Sequence, residues 1–106
     1  SNIEEFKNKK LLAFAGIGNP NNFFELLREN NLDIKKTLSF PDHYHFNKLE
    51  LQKINDESLK NNCEIITTEK DYYRIKDYGF SNIKYLKIEL QIHQKDKLIN
   101  QILNYL

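Results

Sequence analysis

With 106 residues, 29% charged and 40% hydrophobic, the chain has the size and mix of one ordinary globular domain. Its net charge of +1, with acids and bases interspersed, lacks the basic footprint of a nucleic-acid binder. A lone cysteine, Cys63, excludes an internal disulfide, and the longest apolar run, residues 11–17, is too short to span a bilayer. These features suit the reducing cytoplasm.

The chain contains no methionine and starts Ser-Asn, which reads as a processed end, so a domain cut from a longer protein is expected. Residues 1–10 are polar and lysine-rich, a linker or lead-in anchored only by Ile3 and Phe6. "LLAFA" (11–15) is a continuous apolar run, as in a strand covered on both faces. "GIGNP" ends it, with Asn19 placed to cap a helix and Pro20 at the first helical position. Phe23, Phe24 and Leu27 form one face of that helix.

"LDIKKTLSF" (32–40) alternates, with Leu32, Ile34, Leu38 and Phe40 expected on one side of a half-buried strand. Asn47 and Glu50 form a capping pair for a helix to about Asn61, with Leu51, Ile54 and Leu59 as its apolar residues. "EIITT" (64–68) is a β-branched third strand, and Thr68 with Asp71 caps a short helix over 69–76. "YGFSN" (78–82) is a turn. Leu86, Ile88, Leu90 and Ile92 alternate as a fourth strand, and residues 98–106 carry the stripe of a final amphipathic helix.

This βαβαβαβα succession predicts an α/β fold: a mostly parallel four-stranded sheet with helices on both faces. The two continuous apolar strands belong in the centre and the two alternating strands at the edges, which gives the order 2-1-3-4. "GIGNP", "PDHYH" and "TTEKD" then leave the sheet at one rim, the crevice where open α/β sheets bind ligands.

Each rim motif has a bland and a functional reading. Gly16 and Gly18 suit a tight strand-to-helix turn or an anion approaching free N–H groups, but neither GxxxxGK[ST] nor GxGxxG is present. Asp42 beside His43 suits either a capped turn or an imidazole oriented for acid–base work. His45 reads as a solvated or helix-entry residue. Thr68, Glu69, Lys70 and Asp71 combine capping with a local ion pair in which Glu69 or Asp71 partners Lys70, although Lys70 also suits a phosphate. Tyr72 and Tyr73 read as packing. No zinc-type ligand set is spaced correctly, so no metal site is expected.

Taken together, "AFAGIGNPNNFFELL", "FPDHYHF" and "IITTEKD" resemble the carboxyl-terminal domain of tetraacyldisaccharide 4'-kinase, over about residues 11–76. The resemblance implies an enzyme of lipid A biosynthesis in Gram-negative bacteria. It would move the γ-phosphoryl group of ATP, with Mg²⁺, to the 4' hydroxyl of a tetraacylated disaccharide phosphate. It also implies a longer parent, peripheral on the cytoplasmic face of the inner membrane. The parent's amino-terminal P-loop domain would hold ATP, Mg²⁺ and a catalytic aspartate across a cleft, and residues 11–106 would be its carboxyl-terminal domain.

By position, the resemblance assigns a catalytic role to Asp42 and His43. Cleft-shaping or domain-contact roles fall to Gly16, Gly18, Asn19, Pro20, Thr68, Glu69, Lys70 and Asp71. The implied partners are the P-loop domain, the lipid A precursor and, through the parent, a membrane surface, with no nucleic acid. Without a Walker A loop the chain alone should not turn over. The alternative is a stand-alone small-anion-binding or interaction module.

Overall fold

The computed structural model describes residues 3–87. Four parallel strands form one sheet: β1 (Lys10–Ala15), β2 (Asp33–Ser39), β3 (Glu64–Thr68) and β4 (Ile83–Leu86), in the order β2-β1-β3-β4. Three helices connect them: α1 (Pro20–Glu29), α2 (Lys48–Lys60) and α3 (Glu69–Ile75). The α/β class and strand order match the sequence expectation. Central β1 and β3 are almost wholly buried, whereas β2 at the edge is exposed or half-buried throughout.

The helices cover both faces. Against α1 pack Leu11, Ala13, Ala15 and Ile66, together with Phe23, Phe24, Leu26 and Leu27 of the helix itself. Phe6, in a 3₁₀ turn over Ile3–Phe6, is buried in the same cluster. On the other face Leu12, Phe14 and Ile65 meet Leu51 and Ile54 of α2 and Ile75 of α3. Burying this much apolar side chain at roughly 25 cal/mol per Å² is the main force holding the layers together.

The α2 start matches its sequence signal. The Asn47 side chain accepts the Glu50 N–H at 2.8 Å, and the Glu50 carboxylate accepts the Asn47 N–H at 3.1 Å. Thr68 likewise caps α3. Asn19 precedes α1 as expected, but its side chain makes no capping bond, and Pro20 supplies the start instead.

Three further expectations need correction. Leu59 is 66% exposed, and Ser58, four residues after Ile54, takes the buried position on α2. In β2 the register slips between Leu11 and Leu12, whose partners are Ile34 and Lys36, so Lys35 is an extra residue. Such a bulge reverses which face the later residues meet. Leu32 and Ile34 therefore pack on the α1 face, whereas Leu38 and Phe40 pack on the other. Finally, β4 begins at Ile83, right after the turn, and Leu86 closes it. The expected strand residues 88–92 and the final helix over 98–106 lie outside the described residues.

Candidate functional site at the carboxyl rim of the sheet

Strand register brings the rim together. Ala15 pairs with Ser39 and Phe14 with Thr67, so β1, β2 and β3 end side by side. The bulge in β2 then directs Phe40 toward the α2 face. There it meets Phe14 edge-on at 6.4 Å, Phe46 at 4.9 Å and Tyr44 at 5.1 Å between ring centroids. This aromatic cluster anchors both ends of the loop over 41–46. The Tyr44 hydroxyl also donates to the carboxylate of Glu50, the residue that caps α2. That hydrogen bond, with burial and the negative charge of Glu50, raises the Tyr44 pKa above the ordinary phenol value.

Between these anchors the loop makes a sharp turn, with the Tyr44 N–H donating to the Pro41 carbonyl at 3.1 Å. His43 at its apex has φ +59°, in the left-handed region. The other described non-glycine residues with positive φ are asparagines, Asn8, Asn31 and Asn62. The turn thus holds a histidine where a conformational cost of about 1–2 kcal/mol applies, and it leaves the imidazole 69% exposed.

The third loop supplies the interior of the site. Asp71 is fully buried. Its Oδ2 accepts the Gly16 N–H at 3.0 Å and the Thr68 hydroxyl at 2.7 Å, while its own N–H donates to the Thr68 oxygen at 3.0 Å. Asp71 Oδ1 is buried without a hydrogen-bond partner, but the Arg74 guanidinium lies 3.7 Å away. Arg74 also donates to the Gly16 carbonyl at 3.3 Å, and its Nη2 sits 2.9 Å from Nδ1 of His43. On the other side of the ring, Nε2 is 3.6 Å from Asp42 Oδ2.

Gly16 is where the three loops pass closest. A Cβ there would lie 3.3 Å from both Asp71 Oδ1 and Tyr44 Cβ, and 3.4 Å from the Pro41 carbonyl oxygen. Gly18 faces Asp42 with more room, 3.6 Å at the nearest atom. A pocket of about 320 Å³ opens beside the loops, lined by His43, Tyr44, His45, Phe46, Arg74 and Tyr78. The Tyr78 hydroxyl closes one side by donating to the Phe46 carbonyl at 3.0 Å.

Six of the ten residues singled out from sequence therefore meet: Gly16, Gly18, Asp42, His43, Thr68 and Asp71. Asn19 and Pro20 stand at the head of α1 instead. Glu69 is half-buried and Lys70 is exposed. Asp71 does not face Lys70, because Asp71 turns into the protein and takes Arg74 as its ionic partner. Arg74, Tyr44 and Tyr78 are the functional candidates that sequence reasoning missed. The available signal for Arg74 was its place three residues after Asp71, one turn along the same face of α3.

Fold and rim define a class: a small α/β domain of the doubly wound kind, with polar residues from three successive loops joined at the carboxyl edge of its sheet. Comparison with known proteins narrows this. The family model for Tetraacyldisaccharide-1-P 4'-kinase matches residues 1–106. Proteins named tetraacyldisaccharide 4'-kinase are similar to the chain. That of Pelagibacter ubique is 41% identical over 96% of this chain and 33% of its own length. Those of Bartonella quintana and Rickettsia felis are 37% and 38% identical, over 88% and 91% of this chain and 28% and 29% of their own lengths. No solved structure matches. The chain belongs to the tetraacyldisaccharide-1-P 4'-kinase family, and it spans about a third of the length of the curated relatives it matches.

Proposed function

We propose that this chain is the carboxyl-terminal part of an ATP-dependent kinase that phosphorylates the 4' hydroxyl of a tetraacyldisaccharide 1-phosphate in lipid A biosynthesis. In this role it presents His43 and Asp42 across a cleft to a P-loop domain on the same parent chain. The observation that carries the reading is the linked series Asp71–Arg74–His43, an ion pair followed by a hydrogen bond, which ends on an exposed imidazole flanked by Asp42.

Phosphoryl transfer depends mainly on positioning and electrostatics. An imidazole held by its Nδ1 offers its other nitrogen outward, suited to orienting or tuning a base supplied from across the cleft. Asp42 adds a negative charge beside that nitrogen. Gly16, Thr68 and Asp71 support this arrangement from behind, and Gly18 leaves space for Asp42.

ATP would supply the phosphoryl group. Resident Mg²⁺ does not suit the buried rim carboxylate, because Asp71 already accepts two hydrogen bonds and faces a guanidinium. Among the described residues, no group of three His, Cys, Asp or Glu could hold a metal ion. ATP and Mg²⁺ would therefore bind mainly on the P-loop domain, and this chain alone should not turn over. The parent would work at the cytoplasmic face of the inner membrane, where its acylated substrate resides. Among the described residues, no helix is long and apolar enough to cross a membrane.

The test is ATP-dependent phosphorylation of the tetraacyl disaccharide by the intact kinase, wild type against His43→Ala, with both shown to be folded. The proposed role gives a loss of kcat of about a hundredfold with little change in KM. Unchanged turnover would reduce the Asp42–His43 pair to a capped turn. Inactive wild type, with saturable anion binding by this chain, would favour the small-anion module instead.

A further inference from the structure

We infer that Arg74 is a positioning residue for His43: it fixes which imidazole nitrogen carries the proton and where the ring points. The inference rests on the catalytic reading of His43 given above and adds to it a residue outside the Asp-His motif.

The His43 ring is 69% exposed, so packing against neighbours cannot define its orientation. Its short contact is with the guanidinium, Nη2 to Nδ1 at 2.9 Å. A guanidinium only donates hydrogen bonds. Nδ1 must therefore supply a lone pair, and the neutral ring carries its proton on Nε2. That proton lies on the exposed side of the ring away from Arg74, with Asp42 Oδ2 at 3.6 Å. A tautomer is set by the partner of the opposite nitrogen, and here the partner is Arg74.

Arg74 is itself well placed for such a task. It lies on α3, not on the loop that carries His43. Its Nη1 donates to the Gly16 carbonyl at 3.3 Å and balances the buried Asp71 oxygen at 3.7 Å. Asp71 in turn is held by the Gly16 N–H and by Thr68, the cap of α3. The planar fork thus transmits the position of two sheet-end loops to a ring on a third. Lysine could keep the positive charge over Asp71 but, with one nitrogen, could not span all three sites.

A purely structural counter-ion role for Arg74 makes a different prediction, so the experiment separates the two. The intact kinase is prepared as wild type, Arg74→Lys, His43→Ala and the double variant, with kcat, KM and thermal midpoint measured for each. Positioning predicts that Arg74→Lys lowers kcat by about tenfold or more with KM little changed. In the His43→Ala background the same substitution should cost no more than about twofold, because a residue acting through His43 has nothing left to act on.

Equal losses in both backgrounds would overturn the proposal and make Arg74 an independent contributor. Unchanged kcat in Arg74→Lys would overturn it as well. If His43→Ala itself retains full activity, the catalytic reading of His43 fails, and this inference with it. That result is distinct from an active-site His43 whose partner Arg74 is dispensable. Should Arg74→Lys fail to fold, Arg74→Gln takes its place. Failure of both to fold would assign Arg74 to the fold alone and overturn the positioning role.

Discussion

Replacing Asp71 with alanine should cost the domain a large part of its stability, although the residue sits at the rim. Its carboxylate is fully buried and accepts two hydrogen bonds, from the Gly16 N–H at 3.0 Å and the Thr68 hydroxyl at 2.7 Å. Bonds to a charged group contribute about 1.5–3 kcal/mol each, and removing one partner leaves the other desolvated and unpaired. Arg74 would also lose its counter-ion, but its side chain is 29% exposed, so water replaces much of that partner and no separate figure is added. The two hydrogen bonds alone set the expected loss at about 3–5 kcal/mol. Domains of this size have about 5–15 kcal/mol in total. A fall in Tm of roughly 15 °C or more follows. The assay is urea unfolding of the 106-residue chain, followed by circular dichroism and by the fluorescence of its six tyrosines, since it has no tryptophan. Lys70→Ala, at the exposed neighbouring position, serves as control and should stay within about 0.5 kcal/mol. A loss below about 1 kcal/mol in Asp71→Ala, with an unchanged m value, would refute the assignment of Asp71 as the hub of the three loops.

The two rim glycines should differ. Gly16→Ala forces a methyl to 3.3 Å from Asp71 Oδ1 and Tyr44 Cβ and should cost about 1–3 kcal/mol in the same assay, whereas Gly18→Ala, with 3.6 Å to its nearest neighbour, should cost little. Equal tolerance at both positions would contradict the close approach at Gly16. At the exposed seam between β2 and α2, a hydrogen bond from Lys36 to Glu57 at 2.6 Å, aided by the charge of Lys36, lowers the Glu57 pKa. A folded pKa below the unfolded one gives stability above the ordinary carboxylate range, lost as pH falls through the folded value. Lys36→Met should therefore raise the Glu57 midpoint and flatten that acid limb, read by carboxyl-carbon NMR titration, and an unmoved midpoint would dismiss the pair. Salt should weaken the effect in the wild type, because the pair is solvent-accessible.

Much of this architecture is legible in the residues, for identifiable reasons. Continuous apolar runs mark β1 and β3 because both faces of a central parallel strand are covered, and caps at Asn47 and Thr68 mark helix starts because local hydrogen bonds define them. The strand order followed from burial alone. What escaped was non-local. No local pattern announces the bulge at Lys35, since it appears only as a mismatch between two paired strands, yet it decides the face of Phe40 and so the anchoring of the site loop. The sequence marks Asp71 as a cap and cleft residue, but its burial, and the turn of Arg74 toward His43, appear only once the three loops are folded together. Leu59 looked like core because its type is apolar, but it lies about 100° around α2 from the buried Ser58. The rim itself was foreseeable from topology, whereas its hydrogen-bond partners depended on side chains from segments distant in sequence.

The rim site turns on one contact, Arg74 holding Nδ1 of His43. It is tested most directly by ¹⁵N NMR of the histidine rings in the 106-residue chain, above the pH at which imidazole titrates. The expected result is an unprotonated Nδ1 and a protonated Nε2 for His43, with a hydrogen-bond coupling between an Arg74 guanidinium proton and Nδ1 that vanishes in Arg74→Lys. A proton found on Nδ1, or a His43 ring whose signals do not change when Arg74 is replaced, would contradict it.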